Sequence, residues 1–334
     1  MTTLFCRLNV RAFLHGSCGR NVPVHLLKQP VKDAEGLMSD YIRKMKIFTI
    51  PPHWQGIDPA TLGRTVMLIG DSDTGKSTLA RYLFERLCAQ GRRAAYLDLD
   101  VGQSTLGLPT TMNVALAAAA GDSSFPPQGP RSAFFVGAVT PKGHMLPTVV
   151  GAYRLQQWAL AQGAEVIVVD TSGLVAKAQG GLALKQWKIE LLAPQTVIAL
   201  QRGRELEPIL WPLRRDGRVR SIELPVAPQV TERPREARIA RRRERLAAYF
   251  AAARPHLVAL HRLAVYNLSR LAPGALLAFQ DGAGFTLALG CVTEMDRLGG
   301  TVIAHSPLPN LEGVCSIRFG VVRWDPVAQQ ERRI

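Results

Sequence analysis

The chain has 334 residues, of which 47% are hydrophobic, and carries 41 Lys and Arg against 26 Asp and Glu for a formal net charge of +15. It is long enough for two domains and too apolar for a chain kept open by its own charge, and its basic balance favours an anionic partner. Cys6, Cys18, Cys88, Cys291 and Cys315 are odd in number and lack C-x-x-C spacing, which argues for a reducing compartment and against a zinc site, and no apolar run has the length of a membrane span, so a cytoplasmic protein without a membrane partner is expected.

Residues 1–45 differ from the rest. Met1 to Lys32 contains no acid, while Arg7, Arg11, Arg20, Lys28 and Lys32 are present, and no amphipathic pattern persists. This reads as a poorly ordered basic arm, with Met38 or Met45 as an alternative start. Pro51-Pro52 is expected to stop any helix before the core begins.

Thr65 to Gly70 is an apolar run with the look of a buried strand, and Gly70-Asp71-Ser72-Asp73-Thr74-Gly75-Lys76-Ser77-Thr78 follows it. The latter fits G-x-x-x-x-G-K-[ST] between a strand and a helix, where main-chain N–H groups and a helix N-terminus make a nest for phosphate. Lys76 should then reach the β- and γ-phosphates, and Ser77 should offer a hydroxyl to Mg²⁺. Lys76 to Gln90 has a helical stripe of Leu79, Tyr82, Leu83, Leu87 and Cys88, closed by Gly91, and Ala94 to Asp100 is a second strand. A strand, crossover helix and strand predict a P-loop α/β fold with a mainly parallel sheet and helices on both faces. Its ligands belong at the carboxyl ends of the strands.

Segment 105–130 is rich in Gly, Pro and Ala and reads as partly irregular. Phe134 to His144 is a short strand running into a turn, Leu146 to Gln162 a helix, Glu165 to Gly173 a buried strand bearing Asp170, Gly181 to Leu192 a helix, and Thr196 to Leu200 a strand. Thirteen Arg and no Lys then lie between Arg202 and Arg245. Pro234 suits a first helical position, and Arg238 and Arg242 share a face with Arg241 and Arg245 beside them. A solvated helix would serve any cation, whereas arginine's planar fork suits bidentate phosphate binding. Short apolar segments from about His256 onward predict a small β domain. The expected organisation is the arm over 1–45, a P-loop domain over 46–254 with an Arg-rich helical lid at about 228–246, and a β-rich domain over 255–334.

Asp98 and Asp100, two apart on a strand, should face the same way, with Asp100 nearer the phosphates. Such a carboxylate can take a proton from an attacking hydroxyl or hold Mg²⁺, and Asp170 competes for either task. The residues alone leave these roles open.

The P-loop, followed by Leu97-Asp98-Leu99-Asp100-Val101-Gly102-Gln103, resembles the polynucleotide 5′-hydroxyl kinases, which include the kinase subunit of the pre-mRNA cleavage factor and the nucleolar kinases of ribosomal RNA processing. The similarity continues through Gly137 to His144, Asp170 to Val175, and Glu232-Arg233 to Tyr249-Phe250, covering about 46–252. The resemblance implies ATP and Mg²⁺ as cofactors, with Lys76, Asp100 and Arg238 catalytic. It places Gly70 to Thr78 and Arg242 on the nucleotide, and Ser77 and Asp100 on the metal. Asp98, Gln103, Thr140, Pro141, His144, Thr171 and Arg233 fall on the acceptor side. The implied partner is RNA and/or DNA with a free 5′-OH; no protein partner is indicated. Leu174 stands where some members carry a Trp that stacks on the terminal base, a contact worth about 1–3 kcal/mol, and His144 stands where Asn is common. The 45 residues before the core are too few for the large N-terminal β domain of the eukaryotic members. Two other readings compete. One is a partner-switching NTPase, suggested by Asp170-Thr171-Ser172-Gly173 but lacking the early extra Lys of that ATPase subset and any N-K-x-D motif; the other is a nucleic-acid scaffold with a vestigial kinase site.

Overall fold

The computed structural model of the chain describes residues 50–296 and 298–333, so the arm expected over 1–45 lies outside the described residues. The core opens with a one-turn helix α1 (Pro52–Gln55), and Pro52 sits at its first position. Proline is tolerated there because that N–H has no intrahelical partner, so the proline pair starts a helix, while the segment it was expected to end lies outside the described residues.

A seven-stranded sheet follows: β1 (Thr65–Gly70), β2 (Ala94–Leu99), β3 (Thr111–Leu116), β4 (Arg131–Phe135), β5 (Val166–Thr171), β6 (Thr196–Gln201) and β7 (Arg220–Pro225), in spatial order β4-β3-β2-β5-β1-β6-β7. From β2 to β7 the pairings are parallel, and β3 and β4 are antiparallel. Strand alternation sends Val66 and Leu68 into one core with Trp54, Leu83, Phe84 and Tyr96, beneath α2 (Lys76–Ala89). Met67 and Ile69 point the other way, towards α3 (Met145–Ala161), α4 (Gly181–Leu192) and α5 (Glu207–Leu213). β3 falls inside the segment read as partly irregular. Its Met112, Val114 and Leu116 are buried in the second of these cores, but six residues flanked by Gly and Pro give too short an alternation to stand out.

A charged helix α6 (Arg235–Phe250) leads out of this layer, four residues beyond the expected lid, with Pro234 as its cap and not its first residue. The remainder is a second sheet of β8 (Arg254–Ala259), β9 (Ala264–Tyr266), β10 (Ala275–Gln280), β11 (Thr286–Asp296), β12 (Thr301–Ser306), β13 (Ser316–Asp325) and β14 (Gln330–Arg333), ordered β14-β13-β10-β11-β12-β8 with β9 beside β13. Leu277, Phe279, Val302, Ile317 and Phe319 form its own core. Its other face, with Leu276, Cys291, Val322 and Trp324, seats Val139 of the first layer and Leu246 and Phe250 of α6. The layers meet backbone to backbone: Val321 N–H donates to the Gly137 carbonyl at 2.8 Å, and a Cβ on Gly320 would lie 2.7 Å from that oxygen. Among the described residues no helix is long and apolar enough to cross a membrane.

Helix α4 turns two lysines inward. Lys185 and Lys188 lie fully buried in the stripe with Leu184, Ile189 and Leu192, while Trp187 is 66% exposed. The Lys185 ammonium donates to Thr171 Oγ1 at 2.7 Å and to the Ser172 carbonyl, tying the helix to the end of β5. The Lys188 Nζ has no hydrogen-bond partner among the described residues. Burial pulls its pKa down to about 8, with the charge of Asp100 acting in the opposite direction. In the unfolded chain this lysine holds its proton to about pH 10.4. Between pH 8 and that value the unfolded state binds the extra proton, so stability rises with pH across the window, and below pH 8 the penalty is at its full size of about 3 kcal/mol. Lys188→Met should therefore stabilise the fold at pH 7, with a gain that shrinks steadily above pH 8. Urea unfolding of both proteins from pH 6.5 to 10.5 measures this, and a gain that does not depend on pH would contradict it.

Candidate active site

The P-loop turns between β1 and α2 with Gly75 at φ 90°, a conformation that costs a residue bearing a Cβ but not glycine. Thr74 Oγ1 donates to the Asp71 carbonyl at 2.9 Å, and Lys76 Nζ reaches that same carbonyl and, at 3.2 Å, Thr74 Oγ1. Lys76 is thus folded onto the loop it belongs to. Burial lowers its pKa, and Asp170, Asp100, Asp71 and Asp73 work against that shift. Gly173, just past β5, lies so close to Ser72 that a Cβ would be 2.4 Å from its hydroxyl, so the end of β5 packs on the phosphate loop.

Asp170 is the penultimate residue of β5, the strand next to β1. Its Oδ2 accepts from the Tyr96 hydroxyl at 3.0 Å, the Ser77 side chain also hydrogen bonds to the carboxyl group, and Oδ1 is buried with no partner. Burial, then repulsion from Asp98, raises its pKa to about 7 against the opposing pull of Ser77 and Lys76. A serine hydroxyl beside an unsatisfied carboxylate oxygen is a donor set that suits Mg²⁺. Among the described residues no three His, Cys, Asp or Glu side chains converge, so phosphate oxygens and water would complete the coordination. Of the acids that the sequence left in competition, the one brought to Ser77 is Asp170, and not Asp100, which the resemblance placed on the metal.

Asp98 and Asp100 do not share an environment. Asp98 is fully buried: Oδ2 accepts from Ser104 Oγ at 2.8 Å, Thr105 N–H at 2.5 Å and Leu106 N–H at 3.0 Å, and Oδ1 from Asp100 N–H at 3.1 Å. It pins the loop after β2 and does not reach the acceptor side where it was expected. Asp100 is half-buried, with Oδ1 accepting from the N–H groups of Gly102 and Gln103, each at 2.9 Å. The strand ends between the two acids, so the alternation that put them on one face no longer applies. Thr171 is likewise internal, donating to the Leu68 carbonyl at 2.7 Å and receiving Lys185.

Asp100, Gln103, Thr140 and Pro141 line a cleft of about 960 Å³ together with Asp71 and Ser72 of the P-loop, Leu174 and Arg238. His144 caps α3 outside this lining, and its carbonyl accepts from Thr148 Oγ1 at 2.6 Å. Helix α6 forms one wall. Arg238 pairs with Asp73 of the P-loop, the Arg233 N–H donates to that same carboxylate at 2.9 Å, and Gln103 Nε2 donates to the Arg238 carbonyl at 3.1 Å. The Arg233 side chain is exposed and outside the cleft lining. Arg242, expected on the nucleotide, is held by Glu331 of β14 through Nε at 2.8 and 2.9 Å. Arg204, Arg235, Arg243 and Arg332 also line the cleft. Arg235 and Arg243 belong to the visible arginine run, whereas nothing near Arg332 in the sequence signals that β14 returns to this site.

Comparison with known proteins bears on the family of the chain. The family model described as mRNA cleavage and polyadenylation factor CLP1 P-loop matches residues 70–252. A polyribonucleotide 5′-hydroxyl-kinase of Pyrococcus abyssi is 28% identical, over 77% of this chain and 87% of its own. One from Pyrococcus horikoshii is 36% identical over 56% of this chain and 49% of its own, and human polyribonucleotide 5′-hydroxyl-kinase Clp1 is 32% identical over 56% and 45%. For these last two the matched stretch spans about half of the relative. The solved structure of wild-type Clp1p in complex with Pcf11p superposes with a TM-score of 0.59 at 16% identity, over 87% of this chain and 78% of that one, which is a likeness of fold. With more than half its length matched by that model, the chain belongs to the CLP1 P-loop family.

Proposed function

We propose that the chain is an ATP-dependent polynucleotide 5′-hydroxyl kinase that transfers the γ-phosphate of ATP to the 5′-OH end of RNA, DNA or both. The observation that carries this reading is that the P-loop and Asp100 open into one cleft whose wall is an arginine helix already tied to the P-loop through Arg238 and Asp73. Transfer of phosphate to an alcohol needs positioning and charge neutralisation, and little else from the protein.

In this mechanism the main-chain nest and Lys76 hold the β- and γ-phosphates, and Ser77 with Asp170 would hold Mg²⁺, which would supply charge neutralisation to the triphosphate. Gly102 and Gln103 fix one oxygen of Asp100, leaving the other for the incoming hydroxyl. The hydroxyl oxygen forms a bond to the γ-phosphorus, the bond to the β–γ bridging oxygen breaks, ADP leaves and Asp100 takes the proton. Arg238 exchanges Asp73 for the phosphoryl oxygens. Gln103, Thr140 and Pro141 border the acceptor, and Leu174 meets the terminal base without a stacking face.

With γ-labelled ATP and a 5′-OH oligonucleotide, label should appear as a 5′-phosphate. Lys76→Ala and Asp100→Asn should abolish it; a wild-type protein that binds ATP yet labels no RNA or DNA acceptor would overturn the assignment. Arg238→Ala should lower kcat at least tenfold with ATP affinity retained, and unchanged turnover would remove it from the mechanism. Leu174→Trp should lower the acceptor KM about fivefold or more, from the ~1–3 kcal/mol of a base–aromatic stack, and an unaltered KM would show that position 174 does not meet the base.

A further inference from the structure

A second concentration of arginine lies away from the P-loop, where α3 meets the second sheet. Arg318 on β13 lies beside Tyr266 on β9, its guanidinium 4.2 Å from the ring centroid. Arg154 on α3 lies 4.8 Å from the Phe285 ring centroid and 5.6 Å from that of Phe134, and donates to the Ala283 carbonyl. Arg270 ends the short turn after β9. Arg154 and Arg270 are each close enough to act on Arg318: burial lowers the Arg318 pKa, Tyr266 opposes the shift, and the charges of Arg154 and Arg270 add to it. Among the described residues none of the three forms an ion pair. A fold that gathers like charges without a carboxylate incurs their repulsion, and a polyanion relieves it.

The aromatic rings narrow the class of polyanion. The Arg318 guanidinium, braced on a ring, is already desolvated on one face and keeps its fork for phosphate, and Tyr266, 45% exposed, offers an edge to a base. The position is also informative. Arg318 precedes Val322 by four residues on β13, about 13 Å along an extended strand, and Val322 lines the cleft that holds Asp100. A stacked single strand covers that span in about four nucleotides at 3.4 Å each.

We propose that Arg154, Arg270, Arg318 and Tyr266 form a second contact surface for the polynucleotide acceptor, gripping backbone phosphates several nucleotides in from its 5′ end. The inference rests on the kinase reading for its acceptor but concerns binding, so it is tested with oligonucleotides that already carry a 5′-phosphate and cannot be phosphorylated. Affinities of two- and ten-nucleotide single strands would be measured against salt for the wild-type protein, Arg270→Ala, Arg318→Ala and Tyr266→Ala. Each arginine variant should weaken the ten-nucleotide strand by about three- to tenfold and flatten its salt slope by roughly 0.7 per lost phosphate contact, while the two-nucleotide strand, too short to reach, binds unchanged. Arg270→Glu, a substitution outside any strand, keeps the test valid if an Arg318 variant misfolds, with the melting temperature as control. Equal affinity of all variants for the long strand, or equal losses on both lengths, would overturn the proposal; the former would leave an acidic protein surface as the occupant. Should the wild-type protein bind long strands through these residues and yet label no acceptor, the surface would stand and the kinase assignment would fall.

Discussion

Everything at the site depends on seating a helix that cannot bury itself. Helix α6 has arginine at 235, 238, 241, 242, 243 and 245, and only Arg242 and Leu246 along it are buried. Its first turns make no hydrophobic core with the P-loop layer. The second sheet supplies the anchor, with Trp324 stacked on Phe250 at 6.4 Å between centroids and the Tyr249 hydroxyl accepting from Leu289 N–H at 2.9 Å. Aromatic burial at the far end fixes the direction of the helix, so the near end can project cations over the P-loop without packing of its own. The close contact of Gly137 with Gly320 sets how near that sheet approaches, which is why the second sheet decides where the arginines fall.

A second constraint is the crowding of acids at the ends of β2 and β5. Asp98 and Asp170 are register partners on adjacent parallel strands, and burial raises the pKa of both. Two buried carboxylates side by side cannot both remain bare anions. The sequence resolves this through donors. Asp98 receives three main-chain N–H groups and a serine hydroxyl, which favour its charged form and convert it into a clamp on the loop that carries Gly102 and Gln103. Asp170 receives two hydroxyl groups and keeps an unsatisfied oxygen, which leaves it suited to a cation from outside. Lys185, by binding Thr171 and Ser172 from below, holds that strand end against the phosphate loop.

How far the sequence discloses this varies with the range of the interaction. The P-loop, the βαβ unit and the arginine helix were legible because each is specified by neighbours in the chain, through glycine placement, apolar period and a charge run. Strand β3 was not, since its partner β2 is reached through an antiparallel return that no crossover rule requires. The burial of Lys185 and Lys188 was hidden for the opposite reason: nothing beside them in the chain calls for it, Lys185 being met by the hydroxyl and carbonyl at the end of β5 and Lys188 by no hydrogen-bond partner among the described residues. The different surroundings of Asp98 and Asp100 escaped because strand alternation stops at Leu99. Arg332 and Glu331 reach the cleft through sheet topology alone.

The docked lid also separates the arginines by how easily each can leave. Arg242 and Glu331 are both nearly enclosed, with side-chain exposures of 11% and 10%, and their contact is bidentate. Removing one partner of such a pair leaves an uncompensated buried charge, a loss of about 3–5 kcal/mol. Arg238 is 31% exposed, faces the cleft, and holds a single carboxylate in the loop where phosphate would sit. Water already screens that pair, and a triphosphate offers more charge at the same place, so exchange there is cheap. Arg245, set on the carbonyls of Ser104 and Gly107, fixes the next turn. The helix is thereby pinned at 242 and 245 and free to respond at 238, which assigns motion in the proposed transfer to one side chain and rigidity to the turn behind it.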